Sequence, residues 1–533
     1  MGGYKYDRRA IAHIVIEAES PLVISSGRKN ELTDSAILKD INGLPYIPGS
    51  SIAGILRHAI GEEKARLFFG DKDATNAITD ENVTDGKTGA CSQATKGSEI
   101  IFSEGKLVGP DGKAIDGIID TDTLNDDIKK FLDKFQTLPR RNHVRITHKG
   151  AADNEGHGKF DEEVIYKGTR FAFDIEFLIS SAEDKSNYLH EVLSELSRET
   201  FRIGGGSRSG FGKVKVVSIH QKEFNLRDEQ DLRAYLEWQS RITEHNNWIE
   251  VESPICKFDA DKTAQWIRYD LSLSPVDFFS FGAGIGDDDA DSIPVRESFI
   301  KWDDDSCQHQ GCSTGRFIED SILIPAASLK GALAHRTAFY SNLMQGNFIK
   351  ATKGTSDRNN ETESADYAGG GDKTEDGFDA VWLLFGYQDK AQQAETNTND
   401  TDAILKQTQK VQQKRGACLF TDIIETNNAS DKDSGQDCKV MNHICIDKFT
   451  GGRINGALFS EKVIDGKERH LTFHTTIMVR KPDEDSAEYR DFHKALLCFE
   501  NAIDDINRGT LPLGGGSGRG HGVFRCTRTK TEL

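Results

Sequence analysis

Apolar and polar residues alternate along four stretches of the chain, two in each half. These stretches cover residues 11–18 and 171–177 in the first half, and residues 268–273 and 471–479 in the second. A period of two is typical of strands that bury one face and expose the other. The pattern therefore predicts that each half begins and ends with a strand of a partly buried sheet.

Apolar residues at helical spacing follow an Ile-Pro dipeptide in each half. Ser51 and Ser328 stand where a helix N-cap is expected, so we predict that a helix starts at each of them. Further helices are predicted over residues 189–197 and 489–505, each leading into a glycine-rich loop. The order strand, helix, strands, helix, glycine turn and strand predicts an α+β ferredoxin-like unit in each half.

Four landmarks recur in the same order in both halves, which indicates an internal duplication. The pairs are Asp34-Ser-Ala-Ile-Leu-Lys39 with Asp291-Ser-Ile-Pro-Val-Arg296, Ile47-Pro-Gly-Ser-Ser-Ile-Ala-Gly54 with Ile324-Pro-Ala-Ala-Ser-Leu-Lys-Gly331, Asn142-His-Val-Arg-Ile146 with Asn442-His-Ile-Cys-Ile446, and Gly204-Gly-Gly-Ser-Arg-Ser-Gly-Phe-Gly212 with Gly514-Gly-Gly-Ser-Gly-Arg-Gly-His-Gly522. The separation between partners grows from 257 residues at the first landmark (34 to 291) to 310 at the last (204 to 514). The second copy therefore contains net insertions.

The duplication predicts a first copy over residues 1–225, a helical linker over 226–265 and a second copy over 266–533. A chain of 533 residues is too long for one ordinary hydrophobic core, which agrees with this division. We expect the insertions of the second copy near residues 301–320 and 355–414. Their richness in Asn, Asp, Thr, Gln and Gly predicts mobile surface loops.

Charge and cysteine usage narrow the class of protein. A net charge of −19 argues against binding nucleic acid over the whole surface, but leaves a local basic groove open. Basic residues concentrate in residues 140–145 and around the glycine loops. Nine scattered cysteines fit reduced thiols better than a disulfide framework. With no long apolar run and no signal-peptide pattern, we expect a cytoplasmic protein without a membrane segment.

The glycine-rich landmarks are the first candidate binding sites. A backbone without Cβ atoms can press its N–H groups onto phosphates, and arginines in the loop add charged contacts. Neither loop has the Gly-Lys-Ser/Thr of a Walker loop or opens a helix after a strand, so a polynucleotide backbone fits better than ATP or NAD. A tight turn between helix and strand is the alternative. The candidate residues are Gly205, Gly206, Ser207, Arg208, Gly515, Gly516, Ser517 and Arg519.

The serine-led helices and the Asn-His landmarks supply further candidates. Unsatisfied N–H groups at a helix N-terminus attract anions, and a solvated basic face is the alternative. Hairpin arms are predicted over residues 147–164 and 447–463. The histidines of the Asn-His landmarks are candidates for binding or catalysis, with a satisfied core histidine as the alternative. The candidates of both groups are Ser51, Arg57, His58, Ser328, Lys330, His335, Arg336, Arg141, His143 and His443.

Asp34 and Asp291 recur in loops ahead of the Ile-Pro landmark. A carboxylate there could position a divalent ion or orient a ribose 2′-hydroxyl for attack on its own phosphate. A turn or N-cap role is the alternative. Asp40 and residues 287–289 are near rivals that spacing does not exclude.

Metal-ligand character appears once, at Cys307, His309 and Cys312, with Cys438 and Cys445 farther along. Tetrahedral zinc needs four ligands in suitable geometry. The irregular spacing disfavours a structural zinc here.

The four ordered landmarks together resemble those of the RAMP superfamily. They resemble more closely the backbone (Cas-seven) subunits of type III CRISPR effector complexes. Two copies in one chain are similar to the tandem-fused backbone subunit of type III-D-like complexes. The resemblance implies two tandem ferredoxin-like (RRM-like) RAMP domains, with guide RNA along each palm and a hairpin thumb between guide and target bases.

The resemblance also implies Mg²⁺- or Mn²⁺-dependent cleavage of target RNA at Asp34 and Asp291, by attack of a 2′-hydroxyl. Its implied guide contacts are Lys330, Arg57, Arg208 and Arg519. Implied partners are guide RNA, target RNA and the other subunits of a type III effector complex in antiviral defence. Departures exist, because Ala53 stands where Lys330 does and Ala334 where Arg57 does. The alternatives are a non-catalytic guide-binding scaffold and a RAMP-type endoribonuclease that processes guide precursor.

Overall fold

The computed structural model describes residues 6–29, 33–70, 97–120, 122, 124–146, 152, 158–180, 186–238, 248–251, 265–303, 314–347, 379–388, 413–425, 438–467 and 469–533. This part of the chain forms a mixed α/β fold with eight α-helices. Its named strands pair antiparallel throughout. Neighbouring strands in sequence can pair in this way through short connections, which suits the hairpin-rich order of the chain.

The first copy is built on one sheet with its first strand at the centre. Its strands are β1 (Arg8–Ala18), β2 (Ile100–Phe102), β3 (Lys106–Leu107), β4 (Arg140–Val144), β5 (Lys159–Glu163), β6 (Arg170–Ile179), β7 (Val214–Asn225) and β8 (Ile249–Val251). The sheet order is β2-β6-β1-β7-β8, with β3 also on β6, and β4 and β5 form a separate hairpin. The strands predicted at residues 11–18 and 171–177 are therefore confirmed as parts of β1 and β6.

Helices cover the first sheet and connect the copies. They are α1 (Gly49–Ile60), α2 (Glu62–Phe69), α3 (Asp126–Gln136), α4 (Ser186–Leu196) and α5 (Glu229–Glu237). Helix α1 packs against α2 and α4, and its buried Ile52 and Leu56 enter the core. Apolar residues one helical turn apart thus bury one face, as the spacing predicts.

The second copy repeats the arrangement. Its strands are β9 (Trp266–Pro275), β10 (Phe278–Phe279), β11 (Arg296–Asp303), β12 (Thr314–Ile324), β13 (Gly386–Gln388), β14 (Gln413–Arg415), β15 (Cys418–Leu419), β16 (Ile423–Ile424), β17 (Cys438–Ile446), β18 (Arg453–Asp465), β19 (Phe473–Arg480) and β20 (Phe524–Glu532). Its helices are α6 (Ala326–Gln345), α7 (Ala380–Phe385) and α8 (Tyr489–Arg508). The sheet order β15-β19-β9-β20 matches β2-β6-β1-β7, so the duplication extends to topology.

The two serine-led helices start earlier than predicted. Helix α1 begins at Gly49 after Pro48, helix α6 begins at Ala326 after Pro325, and no side chain caps either of them. Ser51 and Ser328 are thus the third helical residues, and their prediction as N-caps is wrong. The proline fixes φ ahead of the helix and has no N–H to satisfy, so it takes the boundary position.

The linker is only partly helical. Helix α5 spans nine residues, and the Asp228 side chain caps it by accepting from the amides of Gln230 and Asp231. Strand β8 then adds to the edge of the first sheet. Residues 239–247 and 252–264 lie outside the described residues. The predicted segment boundaries stay a prediction.

The insertion at residues 301–320 is not a mobile loop where it is described. Strands β11 and β12 pair into a hairpin that packs on the first copy. The Trp302 Nε1 donates to the Gly168 carbonyl at 2.7 Å, and the buried Ile300 joins the first core. Phe317 lies against three aromatic rings of the first copy, those of Phe131, Phe135 and Tyr166. The loop prediction fails because these apolar side chains are covered by the other copy.

The insertion at residues 355–414 lies mostly outside the described residues. Within it, α7 belongs to the core, where Ala380 and Leu384 are fully buried. Asp379 starts this helix by accepting from the amides of Val381 and Trp382. No helix among the described residues is long and apolar enough to span a membrane.

Candidate nucleic-acid interface

Asp34 lies on the exposed rim of the first copy, where its loop meets the β4–β5 hairpin. Its amide donates to Asp161 Oδ1 at 2.9 Å, and Lys29 Nζ donates to Asp34 Oδ1 at 3.2 Å. The hydrogen bond from Lys29, followed by the Asp161 amide, holds the pKa of Asp34 below its ordinary value. The carboxylate is therefore ionised at neutral pH, which suits binding a cation or orienting a hydroxyl better than accepting a proton.

Asp291 occupies the equivalent place in the second copy. Ser460 donates to its Oδ2 from both the amide, at 2.8 Å, and the hydroxyl, at 3.0 Å. The amide hydrogen bond is the larger cause that lowers the pKa of Asp291. Each site thus presents an exposed, ionised carboxylate beside a hairpin strand. The first site has a second carboxylate, that of Asp161, and the second site has Ser460 in its place.

The strand register shows that the two sites are equivalent. Asp161 pairs with Asn142 across the first hairpin, and Ser460 pairs with Asn442 across the second. The sequence landmarks of aspartate and Asn-His therefore meet in space in both copies. The described residues form a hairpin in each copy, but its first strand carries the Asn-His landmark and thus lies before the predicted arms at residues 147–164 and 447–463. Residues 147–151 and 153–157 of the first arm lie outside the described residues.

The rival aspartates are committed to turns and ion pairs. Asp40 Oδ1 accepts from the amides of Asn42 and Leu44, both at 2.9 Å. In the second copy Lys462 Nζ lies 2.6 Å from Asp287 and 2.9 Å from Asp289. Asp40, Asp287 and Asp289 are thus held by their own loops or by Lys462, whereas Asp34 and Asp291 contact the hairpins; Asp288 is exposed and stays a rival.

His143 and His443 have matching surroundings. The Nε2 atom of each lies 2.8 Å from a glutamate, Glu162 in the first copy and Glu461 in the second. One face of each ring is stacked on a phenylalanine, with centroid distances of 4.7 Å to Phe160 and 4.6 Å to Phe459. Both imidazoles are thus held in place by the hairpin, and their predicted role in binding RNA stays a prediction.

A fifth repeat carries these partners. Residues 160–164 read Phe-Asp-Glu-Glu-Val, and residues 459–463 read Phe-Ser-Glu-Lys-Val. The residue after each catalytic candidate forms an isolated backbone β-bridge with the glutamate of this repeat, Ser35 with Glu162 and Ser292 with Glu461. Sequence reasoning missed this repeat, although its copies are separated by 299 residues (160 to 459), one fewer than the 300 of the Asn-His landmarks (143 to 443).

The glycine loops use part of their backbone to build the fold. The amides of Gly205 and Gly515 donate to the carbonyls of Val23 and Ser280, each at 2.7 Å. Gly204 has a φ of 86°, and a Cβ there would lie 2.3 Å from the Val23 oxygen. The close approach therefore requires glycine, and these amides are not free to bind phosphate as the glycine pattern predicts.

The seam between the copies brings together unpaired positive charge. We use seam for the contact of the first glycine loop and the β4–β5 hairpin with the second copy. Arg208 Nε and Nη1 are buried without a hydrogen-bond partner among the described residues, and Arg415 lies beside them, donating to Ser207 Oγ at 3.0 Å. Burial, and then the charge of Arg415, lower the pKa of Arg208 to about 10. Lys330 joins this cluster, and burial lowers its pKa as well.

A buried cation without a partner is costly, and two adjacent cations increase the cost. An anion placed between Arg208 and Lys330 would remove it, and the N-terminus of α6 favours negative charge at the same point. The seam therefore has the electrostatic character of a phosphate site. Arg208 comes from the first copy and Lys330 from the second, so the two copies build it jointly.

The outer equivalents of this site are incomplete. The second glycine loop has Gly518 in place of Arg208 and carries its arginine one position later, at Arg519, which donates to both oxygens of Glu461, at 2.7 and 2.8 Å. In the first copy Ala53 replaces the lysine. The complete cation pair therefore occurs at the seam.

Three predicted RNA-binding arginines make contacts within the fold. Arg57 donates to the carbonyls of Phe69 and Gly70, at 3.3 and 2.9 Å. Arg336 Nε donates to Asp505 at 2.5 Å. Arg141 is buried at the seam, where its guanidinium meets two carboxylates of the second copy. Their role in binding RNA stays a prediction.

Among the other candidates, His58 and Ser328 are exposed and Ser51 is partly buried. The zinc candidates at positions 307, 309 and 312 lie outside the described residues. Cys438 and Cys445 are free thiols on β17. Within the described ranges, no group of three or more His, Cys, Asp or Glu side chains is arranged to hold a metal.

Together these features define a class of protein, a duplicated α/β module. Each copy carries a hairpin and a glycine loop, and a cluster of cations lies at the seam between the copies. The RAMP superfamily model matches residues 15–215 and 315–525. The two ranges cover more than half of the chain, and the chain belongs to the RAMP superfamily. A search for similar curated proteins finds no match. Membership of this superfamily indicates a CRISPR-associated, RNA-binding subunit.

Proposed function

We propose that this chain is the two-copy backbone subunit of an RNA-guided type III CRISPR effector complex, of the tandem-fused type III-D-like form. It binds guide RNA along both copies and cleaves complementary target RNA at two positions. Asp34 and Asp291 are the catalytic carboxylates. Among its other elements, each copy contains a β-α-β-β-α-β series that forms the central sheet, β1-α1-β2-β6-α4-β7 in the first and β9-α6-β15-β19-α8-β20 in the second, and this series supports the ferredoxin-like architecture that the role implies.

The observation that carries the RNA-binding part is the unpaired Arg208 at the seam. Its buried guanidinium nitrogens lie beside two further cations, and phosphate supplies the charge and the acceptor oxygens that they lack. Because base pairing would read the target, contacts of this kind need no base specificity. A continuous guide backbone crossing both copies would pass this point.

The equivalence of the two carboxylates carries the cleavage part. Asp34 contacts Asp161 and Asp291 contacts Ser460, two residues at the same register of their hairpins, and the pKa of each of the two carboxylates is lowered. Each would orient the ribose 2′-hydroxyl for attack on the adjacent phosphate.

The donor set also fits a hard cation. Asp34 and Asp161 supply carboxylate oxygens at the first site, and Asp291 with the Ser460 hydroxyl supplies oxygen at the second. Mg²⁺ or Mn²⁺ prefers such ligands together with water and phosphate oxygens. The ion, when bound, would neutralise charge on the scissile phosphate.

The test uses the assembled complex with a matching target RNA and Mg²⁺, and reads product lengths on a denaturing gel. Asp34→Ala should remove one cut and Asp291→Ala the other, each with at least about a hundredfold loss in rate. Asp133→Ala on α3 and Asp288→Ala in the second acidic loop remove exposed carboxylates and serve as controls. Guide RNA should remain bound in every variant.

Persistence of both cuts in the Asp34→Ala/Asp291→Ala double variant would identify the chain as a scaffold. Loss of a cut in Asp288→Ala would move the second site to that residue. Cleavage of a guide-precursor transcript by the chain alone would instead identify a processing endoribonuclease.

A further inference from the structure

The seam is held by a buried ion triad. Arg141 at the base of the first hairpin donates from Nε to Glu297 at 2.7 Å and from Nη1 to Asp422 at 2.8 Å. The three side chains are 5%, 3% and 2% exposed. Burial alone would lower the pKa of Arg141, but Asp422 and Glu297 hold it above its ordinary value. The first copy thus inserts a cation into an acidic pocket of the second.

Two further contacts complete the seam. Asn142 Nδ2 donates to the Ala283 carbonyl at 2.9 Å, next to Gly284. Gly210 lies so close to the second copy that a Cβ would be 2.8 Å from Asp422 Oδ1. The seam therefore joins a donor end of one copy to an acceptor end of the next.

The donor end of the second copy makes no seam-like contact with any part of the chain that the structure describes. It consists of Met441, Asn442 and Gly520, the equivalents of Arg141, Asn142 and Gly210. The hairpin register fixes the first of these, because Arg141 pairs with Glu162 and Met441 with Glu461. Asn442 is exposed, and a Cβ at Gly520 would meet nothing within 4 Å. This end has the shape of the seam contact but lacks its cation.

The acceptor end of the first copy likewise receives no hairpin from the described residues. Glu104 matches Asp422, because each precedes a residue that pairs with the isoleucine of the Ile-Pro landmark. Gly27 matches Gly284, and a Cβ there would meet nothing within 4 Å. Landmark spacing places Asp40 where Glu297 stands, and there its Oδ1 already accepts from the amides of Asn42 and Leu44. The acceptor end comprises Glu104, Asp40 and Gly27.

Charge distinguishes the two free ends. Glu104 is 52% exposed and pairs with Lys106 at 2.6 Å. Asp40 and Asp116 also act on Lys106, so one lysine faces three carboxylates. The acceptor end thus keeps excess negative charge, whereas Met441 offers the donor end no positive charge.

We propose that the acceptor end of the first copy binds the hairpin base of a different RAMP-type chain, one that carries an arginine followed by an asparagine. Met441 prevents a second copy of this chain from taking that place. This partner would belong to the proposed effector complex, but the contacts that support it are those of the seam and do not depend on RNA cleavage. The test of this proposal contains no RNA and is independent of cleavage.

The test supplies the missing cation. A donor chain carries Met441→Arg, with Glu104→Arg to block its own acceptor end, and the wild-type chain serves as acceptor. The control donor carries Glu104→Arg alone. We expect the donor chain to bind wild type at least about tenfold more tightly than the control does, because a charge-assisted hydrogen bond is restored. Sedimentation velocity should show a one-to-one pair that weakens with added salt.

Two further measurements make the result specific. Replacing the acceptor with Glu104→Gln should abolish the gain, and Met441→Lys in the donor should retain part of it if arginine perturbs the hairpin. Wild type alone should remain monomeric at the same concentrations. Equal binding by donor and control chains, or self-association of wild type as strong as the mixed pair, would overturn the proposal.

Discussion

The two glycine loops begin with the same residues, Gly-Gly-Gly-Ser, yet their arginines have opposite surroundings. Arg208 has buried donors without partners beside Lys330 and Arg415, whereas Arg519 is held by both oxygens of Glu461. The backbones are alike, because the same glycines adopt positive φ in both loops. Two differences explain this: Arg208 aligns with Gly518, so the arginines stand one position apart in the repeat, and the second copy covers the first loop. A repeated motif thus fixes the shape of a loop, while the position of its arginine and the surface that covers the loop determine whether the charge is available.

The largest effect on the free energy of unfolding is expected at the seam, where the second copy covers the first. Arg141→Met would leave Glu297 and Asp422 buried without a cation, at a cost of about 3–5 kcal/mol in the free energy of unfolding. Arg453→Met, on the exposed second hairpin, should cost less than about 0.5 kcal/mol. Urea denaturation of the full chain measures both. Equal costs would show that the seam does not depend on the triad.

A second pair of variants compares the loops directly. Gly210→Ala would place a Cβ 2.5 Å from that of Ala326 at a φ of +112°, and we expect a cost of about 2–3 kcal/mol. Gly520→Ala meets open space at a φ of +90° and bears only the backbone strain, about 1 kcal/mol. The measurement is again the urea midpoint. A larger loss for Gly520→Ala would contradict the assignment of a free end.

The third prediction concerns RNA. Arg208→Ala should weaken binding of single-stranded RNA several-fold and lower the salt-dependence slope by about 0.7, as for one lost phosphate contact. Arg519→Ala should have a smaller effect, because Glu461 already neutralises Arg519. Fluorescence anisotropy at several salt concentrations separates the two. Indistinguishable slopes for the two variants would remove the seam from the RNA path.

The smallest effect separates the two carboxylates. Lys29 is a main cause of the lowered pKa of Asp34, whereas Asp291 has Ser460 in that role. Because its pKa is lowered, the Asp34 carboxylate stays charged, and the first cut persists, down to a lower pH. Lys29→Ala should therefore shift the loss of the first cut on acidification to higher pH. The second cut serves as an internal control and should keep its pH profile.

The sequence predicts the repeated strands and helices because local periodicity reports which face is buried. It could not predict the role of Ile300, Trp302 and Phe317, since their burial depends on the other copy. The landmark aspartates and Asn-His residues were found, but the Glu162 and Glu461 partners were not. Register across a hairpin decides those contacts, and spacing along the chain does not encode it directly.

The β11–β12 hairpin has a consequence for synthesis. Its aromatic residues are translated after the whole first copy, yet they cover Phe131, Phe135 and Tyr166. On the ribosome, that aromatic surface stays open to water until β12 has emerged. A gene divided between the copies would leave the first product with this surface uncovered, a hazard for aggregation. The fusion therefore also acts as a built-in folding aid, with the later half protecting the earlier one.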